Sequence, residues 1–303
     1  MPNTAADLAQ LLARAEQVLA RLEAWLPAVP PATGWDAAIA FRWRKRGATG
    51  WIEAVPHPHK IELAHLTGID EQKQRIEQNT RQFLAGRPAN NVLLTGARGT
   101  GKSSLVKALL SQFAHKGLRL IEVDKAHLVD LADIAEQLVG RRERFIVFCD
   151  DLSFETGEPG YKALKAVLDG AIAAPPDNLL IYATSNRRHL MPEYMAENEL
   201  TRHVGNEVHP DEAVEEKVSL SERFGLWLSF YPFDQEVYLA IVKTWLDALG
   251  VPVKDSDAMR RAALQWSLTR GARSGRVAWQ FARDYAGQHA KSRNKTRWPV
   301  RRE

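Results

Sequence analysis

The chain holds a single cysteine, Cys149, so no internal disulfide can form and a reducing compartment is expected. No apolar run approaches the length of a membrane span. The opening residues, Met1 to Asp7, place no basic region ahead of an apolar one, so no secretory signal peptide is expected and the expected location is the cytoplasm. His57 and His59 have no nearby cysteine or third histidine to complete a metal-ligand set, and they read as loop residues. A guanine-binding Asn-Lys-x-Asp signature is missing, because Asn294-Lys295-Thr296-Arg297 lacks the acid; this weighs against a GTPase. There is no internal repeat and no low-complexity tract.

What is present is enough for a real core. The 303 residues suggest one large or two modest domains, with 45% apolar and 26% charged side chains. The formal charge of +4 is a mild basic bias, concentrated at Arg42-Trp43-Arg44-Lys45-Arg46 and in the tail from Lys291 to Arg302. Basic runs of this kind attract polyanions such as nucleic acid, but they also occur as solvated faces and frayed ends.

The run Gly96-Ala97-Arg98-Gly99-Thr100-Gly101-Lys102-Ser103 fits the phosphate-cradling pattern G-x-x-x-x-G-K-[ST]. An apolar run, Asn91 to Thr95, reads as a buried strand before it, and helical periodicity begins after it at Ser104. Glycines there let backbone N–H groups turn inward around phosphate oxygens, and a helix start adds positive potential. Lys102 is placed to reach the β- and γ-phosphates, and Ser103 to offer its hydroxyl to Mg²⁺. The loop residues and Ser104 are therefore candidate nucleotide contacts.

Along the chain, residues 4–26 form an amphipathic helix with Leu8, Leu11, Leu12, Ala15, Val18, Leu19, Leu22, Trp25 and Leu26 on one stripe. That stripe must pack on its own core or on a second subunit. Residues 39–55 read as two short strands, with Phe41 and Trp43 on one face and Arg42 and Arg44 on the other. Such a surface either binds single-stranded nucleic acid or is a small hairpin using its aromatics as core. From Ile61 strand and helix alternate, which implies a parallel sheet covered by helices. Strands are expected at 118–123, 145–149, 179–184 and 226–230. Helices are expected at 128–138 and 161–172. Pro192 to Lys217 reads as an inserted polar loop, and after Pro232 the chain looks all-helical. The expected division is an N-terminal extension over 1–60, a nucleotide-binding α/β core over 61–231 and a helical unit with a basic tail over 232–303.

The strand Phe145 to Cys149 delivers Asp150 and Asp151 at its C-terminal end. Mg²⁺ needs hard oxygen ligands, so Asp150 is the metal-side acid. Asp151 is placed to orient or deprotonate the attacking water, with Glu155 in reserve. Both acids could also be plain loop residues. The strand from Leu179 ends at Ser185-Asn186, and an amide there can hydrogen-bond the γ-phosphate or the water; Asn is also a common turn residue. Cys149 reads as a small buried apolar side chain.

Gly96–Ser103, Asp150-Asp151, Ser185-Asn186, Ser221-Glu222-Arg223-Phe224 and Gly271–Arg276 stand in the order of the AAA+ ATPase motifs, which the chain resembles. From Leu66 to Asp284 it also resembles a bacterial family catalogued as domain of unknown function 815. The phrases that carry this include Asn90-Asn91-Val92-Leu93-Leu94, Asp150-Asp151-Leu152-Ser153-Phe154-Glu155 and Arg273-Ser274-Gly275-Arg276. The resemblance implies a three-layer αβα P-loop core with a parallel sheet, a C-terminal helical lid, and ATP with Mg²⁺ as the bound species. It implies Arg223 as an arginine finger reaching a neighbouring subunit's nucleotide, hence a homo-oligomer. Arg276, with Arg273 as runner-up, becomes the sensor 2 arginine, and adenine is expected near Leu66-Thr67-Gly68-Ile69. Many AAA+ proteins carry Asp-Glu where this chain has Asp150-Asp151, which implies slow or partner-stimulated hydrolysis; initiator and helicase-loader relatives share the Asp pair.

Three functions fit these expectations. The first is an oligomeric ATPase coupling nucleotide state to remodelling or loading of a partner. The second is a nucleic-acid-binding assembly switch, using the basic hairpin and tail. The third is a protein-remodelling chaperone; the lack of an aromatic in Asp124-Lys125-Ala126-His127-Leu128, where threading machines place a pore loop, counts against threading but leaves chaperone-like remodelling of a single client open. No membrane partner is expected.

Overall fold

The computed structural model describes residues 11–19, 21, 33–154, 158–170, 176–186, 190, 220–251 and 257–289. Residues 11–19 are helical (α1), followed by β1 (Ala40–Arg46), β2 (Thr49–Ala54) and α2 (Asp70–Leu84). Next come β3 (Val92–Gly96), α3 (Lys102–Phe113), β4 (Leu118–Glu122), α4 (Leu131–Glu136), β5 (Arg144–Cys149), α5 (Pro159–Asp169), β6 (Leu179–Ser185) and β7 (Leu226–Phe230). Three helices close the described chain: α6 (Gln235–Ala248), α7 (Asp257–Thr269) and α8 (Gly275–His289).

The strands form one sheet in the order β2-β1-β4-β5-β6-β3-β7. All pairings are parallel except β1 with β2. A parallel sheet must be covered on both faces, and the strands show it. In β5, Phe145, Val147 and Cys149 enter the core that includes α5, while Ile146 and Phe148 enter the core beneath α2 and α3. This is the three-layer αβα core expected. After β3 the chain crosses to β4, returns through β5 to β6, and then passes beyond β3 to β7. The C-terminal edge of β3 beside β6 is therefore where the winding reverses, the usual place for a ligand crevice.

The hairpin expected to belong to an N-terminal extension is the edge of the core sheet, because β1 pairs with β4 in register Ala40↔Leu120 to Arg42↔Glu122. Phe41 and Trp43 are buried in the core. Arg42 pairs with Glu122 at 2.8 Å, Arg44 with Glu53 at 2.9 Å, and Lys45 with Asp130. Of the two readings of the hairpin, the core reading is the one realised: its aromatics face inward and these three cations meet acids of the same chain.

For α1 the outcome differs from packing on its own core. Leu11, Leu12, Val18 and Leu19 are each more than half exposed. The rest of the 4–26 stripe, the 192–217 insertion and the tail from Lys291 lie outside the described residues. No described helix is long and apolar enough to cross a membrane.

Candidate nucleotide-binding site

The loop 96–101 bends away from β3 because three of its residues are glycines with positive φ. Gly96, at φ 129°, lies so close to β7 that a Cβ there would collide with the Phe230 carbonyl. That carbonyl accepts a hydrogen bond from Ala97 N at 3.2 Å, fixing where the loop leaves the sheet. Thr100 Oγ1 donates to Ala97 O at 2.8 Å and closes the bend. Gly101 then precedes α3, and Leu105 N donates to Gly101 O at 2.8 Å as the first helical turn forms.

Lys102 is almost fully buried, and its ammonium lies inside this loop. Nζ donates to Gly96 O at 2.7 Å, Ala97 O at 2.8 Å and Asn186 Oδ1 at 3.0 Å. Burial lowers its pKa, with the nearby positive Arg98 adding to that, while Asp151 and Asp150 pull it back up. The amide nitrogen of Asn186, Nδ2, donates to Asp151 Oδ1, so one side chain spans the lysine and the acid. Ser103 Oγ donates to Asp150 Oδ1 at 2.6 Å. The sequence-expected set Lys102, Ser103, Asp150, Asp151 and Asn186 is thus brought together at the C-terminal edges of β3, β5 and β6. Cys149 just before it is fully buried, and desolvation with the Asp150 charge pushes its thiol up to about 12, so it is inert.

The turn expected near adenine sits between loop and lid. Ile69 is buried within 3.6 Å of where a Gly101 Cβ would stand, and Gly68 packs on Val237 of α6. Lys73 Nζ donates to Leu66 O at 2.8 Å, and Thr67 Oγ1 lies 3.1 Å from Thr244 Oγ1 in the lid. From the other side, Gly275 N at the start of α8 donates to Gly99 O at 2.8 Å. Arg276 follows it, exposed, with its Cβ 3.6 Å from where a Gly99 Cβ would stand; Arg273 is exposed just before the helix. Ser104 is half-buried on α3.

Arg223 stands elsewhere. It precedes β7 by three residues, and Leu226 of β7 pairs with Val92 at the start of β3. Five rungs of sheet, about 16 Å, separate that edge from the phosphate loop. Arg223 pairs there with Asp169 at the end of α5. Glu155 lies outside the described residues.

Two participants escaped the sequence reading. Thr184 Oγ1 donates to Asp150 Oδ1 at 2.6 Å and accepts from Asp151 N at 2.9 Å. Its signal was a threonine in a strand whose other positions are nearly all apolar. Ser274, which accepts from Val277 N at 3.3 Å at the head of α8, was marked only as part of the family phrase Arg273–Arg276 and as a helix-starting serine, with no role of its own.

The residues fit a magnesium-bound nucleotide. A buried ammonium, a left-handed glycine loop and a helix start converge on one spot, and a hydroxyl and a carboxylate lie beside it. Among the described residues no cluster of three or more metal-ligating side chains exists.

Sheet, loop, acid pair and lid define an AAA+ ATPase. More narrowly, the chain belongs to the family described as protein of unknown function (DUF815), whose profile matches residues 36–289. Among curated proteins it is similar to the 26S proteasome regulatory subunit 4 homolog of Schizosaccharomyces pombe, 27% identical over 51% of this chain and 40% of that one. It is also similar to the ATP-dependent zinc metalloprotease FTSH 9 of Arabidopsis thaliana, 34% identical over 24% of this chain and 10% of that one. The chain thus spans less than half the length of either relative. Among solved structures, a RuvB variant from Thermotoga maritima superposes with TM-score 0.52 at 18% identity, covering 78% of this chain and 68% of that one. The Aeropyrum pernix ORC1 protein in complex with DNA gives TM-score 0.50 at 18% identity, covering 76% and 63%. At that identity the likeness is one of fold.

Proposed function

We propose that this protein binds ATP with Mg²⁺ between core and lid, hydrolyses it as an oligomer, and couples the nucleotide state to remodelling or loading of a partner. The observation that carries the reading is the buried Lys102 ammonium, held by loop carbonyls and by the amide that also holds Asp151. Mg²⁺ would neutralise charge on the phosphates; Ser103 would ligate it and Asp150 would hold its water. Backbone N–H groups of 97–103 would grip the phosphates, and Lys102 would trade its carbonyl partners for phosphate oxygens. Asp151, oriented by Asn186, would take the proton of the attacking water. The hydrogen bond from Gly275 to Gly99 would pass loop movement to the lid.

Arg223 precedes β7 at the sheet edge opposite its own chain's loop, which supports a finger acting on a neighbour's nucleotide. The exposed apolar face of α1 is consistent with an assembled form. A nucleic-acid role draws on the ORC1 likeness, but the hairpin gives it little support, since Phe41 and Trp43 are buried and Arg42, Arg44 and Lys45 are paired with acids. The test is ATP turnover per subunit against protein concentration, for wild type and Arg223→Ala. Turnover should rise with assembly, and Arg223→Ala should lower it about a thousandfold, the size of an arginine-finger effect, with nucleotide affinity retained. Concentration-independent turnover that ignores the substitution contradicts a finger in trans.

A further inference from the structure

We propose that Thr184 is a positioning residue for the acid pair: its hydroxyl sets the Asp150 carboxylate for the cation and the Asp151 backbone for the water. This rests on the reading of the site as one for magnesium-bound ATP.

Thr184 is buried within β6, a strand whose described positions are all buried. The direction of its hydrogen bonds follows from chemistry. Asp151 N–H can only donate, so the Thr184 oxygen accepts it at 2.9 Å. The single hydroxyl hydrogen is then free for Asp150 Oδ1, 2.6 Å away, and a carboxylate is the stronger kind of acceptor. The main chain of the same residue adds a third tie, since Leu152 N donates to Thr184 O at 2.7 Å. One threonine therefore binds three successive residues of the turn after β5.

Two consequences follow. Ser103 Oγ donates to the same Asp150 Oδ1, so two hydroxyls converge on one oxygen and Oδ2 is left to meet water or the cation. Asp151 has φ 54°, the only non-glycine positive φ among the described residues. A non-glycine residue in that region is strained and persists where its surroundings over-determine it. The Thr184 hydroxyl is one of the groups that does so. Without it, Asp150 can rotate and Asp151 can relax toward ordinary backbone, which would move its carboxylate away from Asn186.

The experiment compares wild type, Thr184→Val, Thr184→Ala and Thr184→Ser. Each is titrated with a fluorescent ATP analogue without Mg²⁺ and then with increasing Mg²⁺; turnover is measured in parallel. Thr184→Val should raise the Mg²⁺ concentration for half-effect about tenfold and lower kcat at least about tenfold, the size expected for losing a hydrogen bond to a charged group. Affinity for the magnesium-free analogue should stay within about twofold, because the phosphate grip itself is intact. Thr184→Ala, which adds no bulk, carries the same expectation and stands in if the valine variant does not fold. Thr184→Ser should behave as wild type. The proposal is overturned if removal of the hydroxyl leaves the Mg²⁺ titration unchanged, or if Thr184→Ser is as defective as Thr184→Val. Wild type that binds the analogue neither with nor without Mg²⁺ would instead overturn the ATP reading, and Thr184 with it.

Discussion

Lys102 and Asp130 are the two charged side chains buried among the described residues, and burial is resolved differently at each. At Lys102 desolvation wins and the pKa falls, a cost the fold carries at the head of the glycine loop. At Asp130 desolvation alone would raise the pKa. Hydrogen bonds from Lys45 and from Trp43 Nε1 at 3.0 Å, with the charges of Lys45 and His127, outweigh it and hold the carboxyl below the usual 3.8. A depressed carboxyl contributes stability above its unfolded pKa and loses it as pH falls through the folded value. Asp130→Asn should therefore cost about 2–3 kcal/mol at pH 7 in urea unfolding, and much less once the pH is below the wild-type folded pKa. An equal cost at both pH values contradicts the ionic role. Single residues were legible where spacing carries chemistry, as with Lys102, Ser103 and Asp150. Asp130 and Thr184 were not, because their partners lie far off in sequence: Trp43 for one, Asp150 for the other.

Among the elements, α8 bears most directly on function, since its first residue touches the phosphate loop. Gly99, at φ 75°, leaves no room: a Cβ would lie 2.8 Å from Ser274 Oγ and 2.9 Å from Ser274 Cβ. Gly99→Ala should weaken nucleotide binding about tenfold and destabilise by about 1–2 kcal/mol, through backbone strain and displacement of the lid. Hydrogen exchange at the Gly275 amide checks it: exchange should quicken, and an unchanged rate with unchanged affinity contradicts the contact. The strands were readable to within a few residues and the lid as helical, because period 2 and period 3.6 are local signals. Placement was not. Alternation marks 40–54 as a hairpin but cannot say that its edge meets β4, since Arg42 and Glu122 are joined only by the fold. The tethers of α2 are equally non-local: Asn79 and Thr80 both bond the buried Tyr182 hydroxyl on β6, at 3.1 and 2.9 Å.

For the whole molecule, the sheet places its two functional edges apart. The C-terminal edge gathers the loop, the acid pair, Asn186 and the lid; the N-terminal edge carries Arg223 beside Asp169. On the proposed reading, a molecule built this way would hold a nucleotide at one end and offer an arginine at the other, which suits subunits arranged head to tail. Motif order along the chain made the family legible. The partner was not legible, because nothing in the pocket depends on it.

The central claim is that the loop around Lys102 is where ATP binds. Calorimetric titration of ATP with Mg²⁺ into wild type and Lys102→Ala tests it most directly. The account predicts one saturable site per chain in wild type, with affinity reduced about a hundredfold or more in Lys102→Ala, whose charge-assisted bonds to phosphate are gone. Equal affinity in the two proteins, or no saturable binding by wild type, would contradict it.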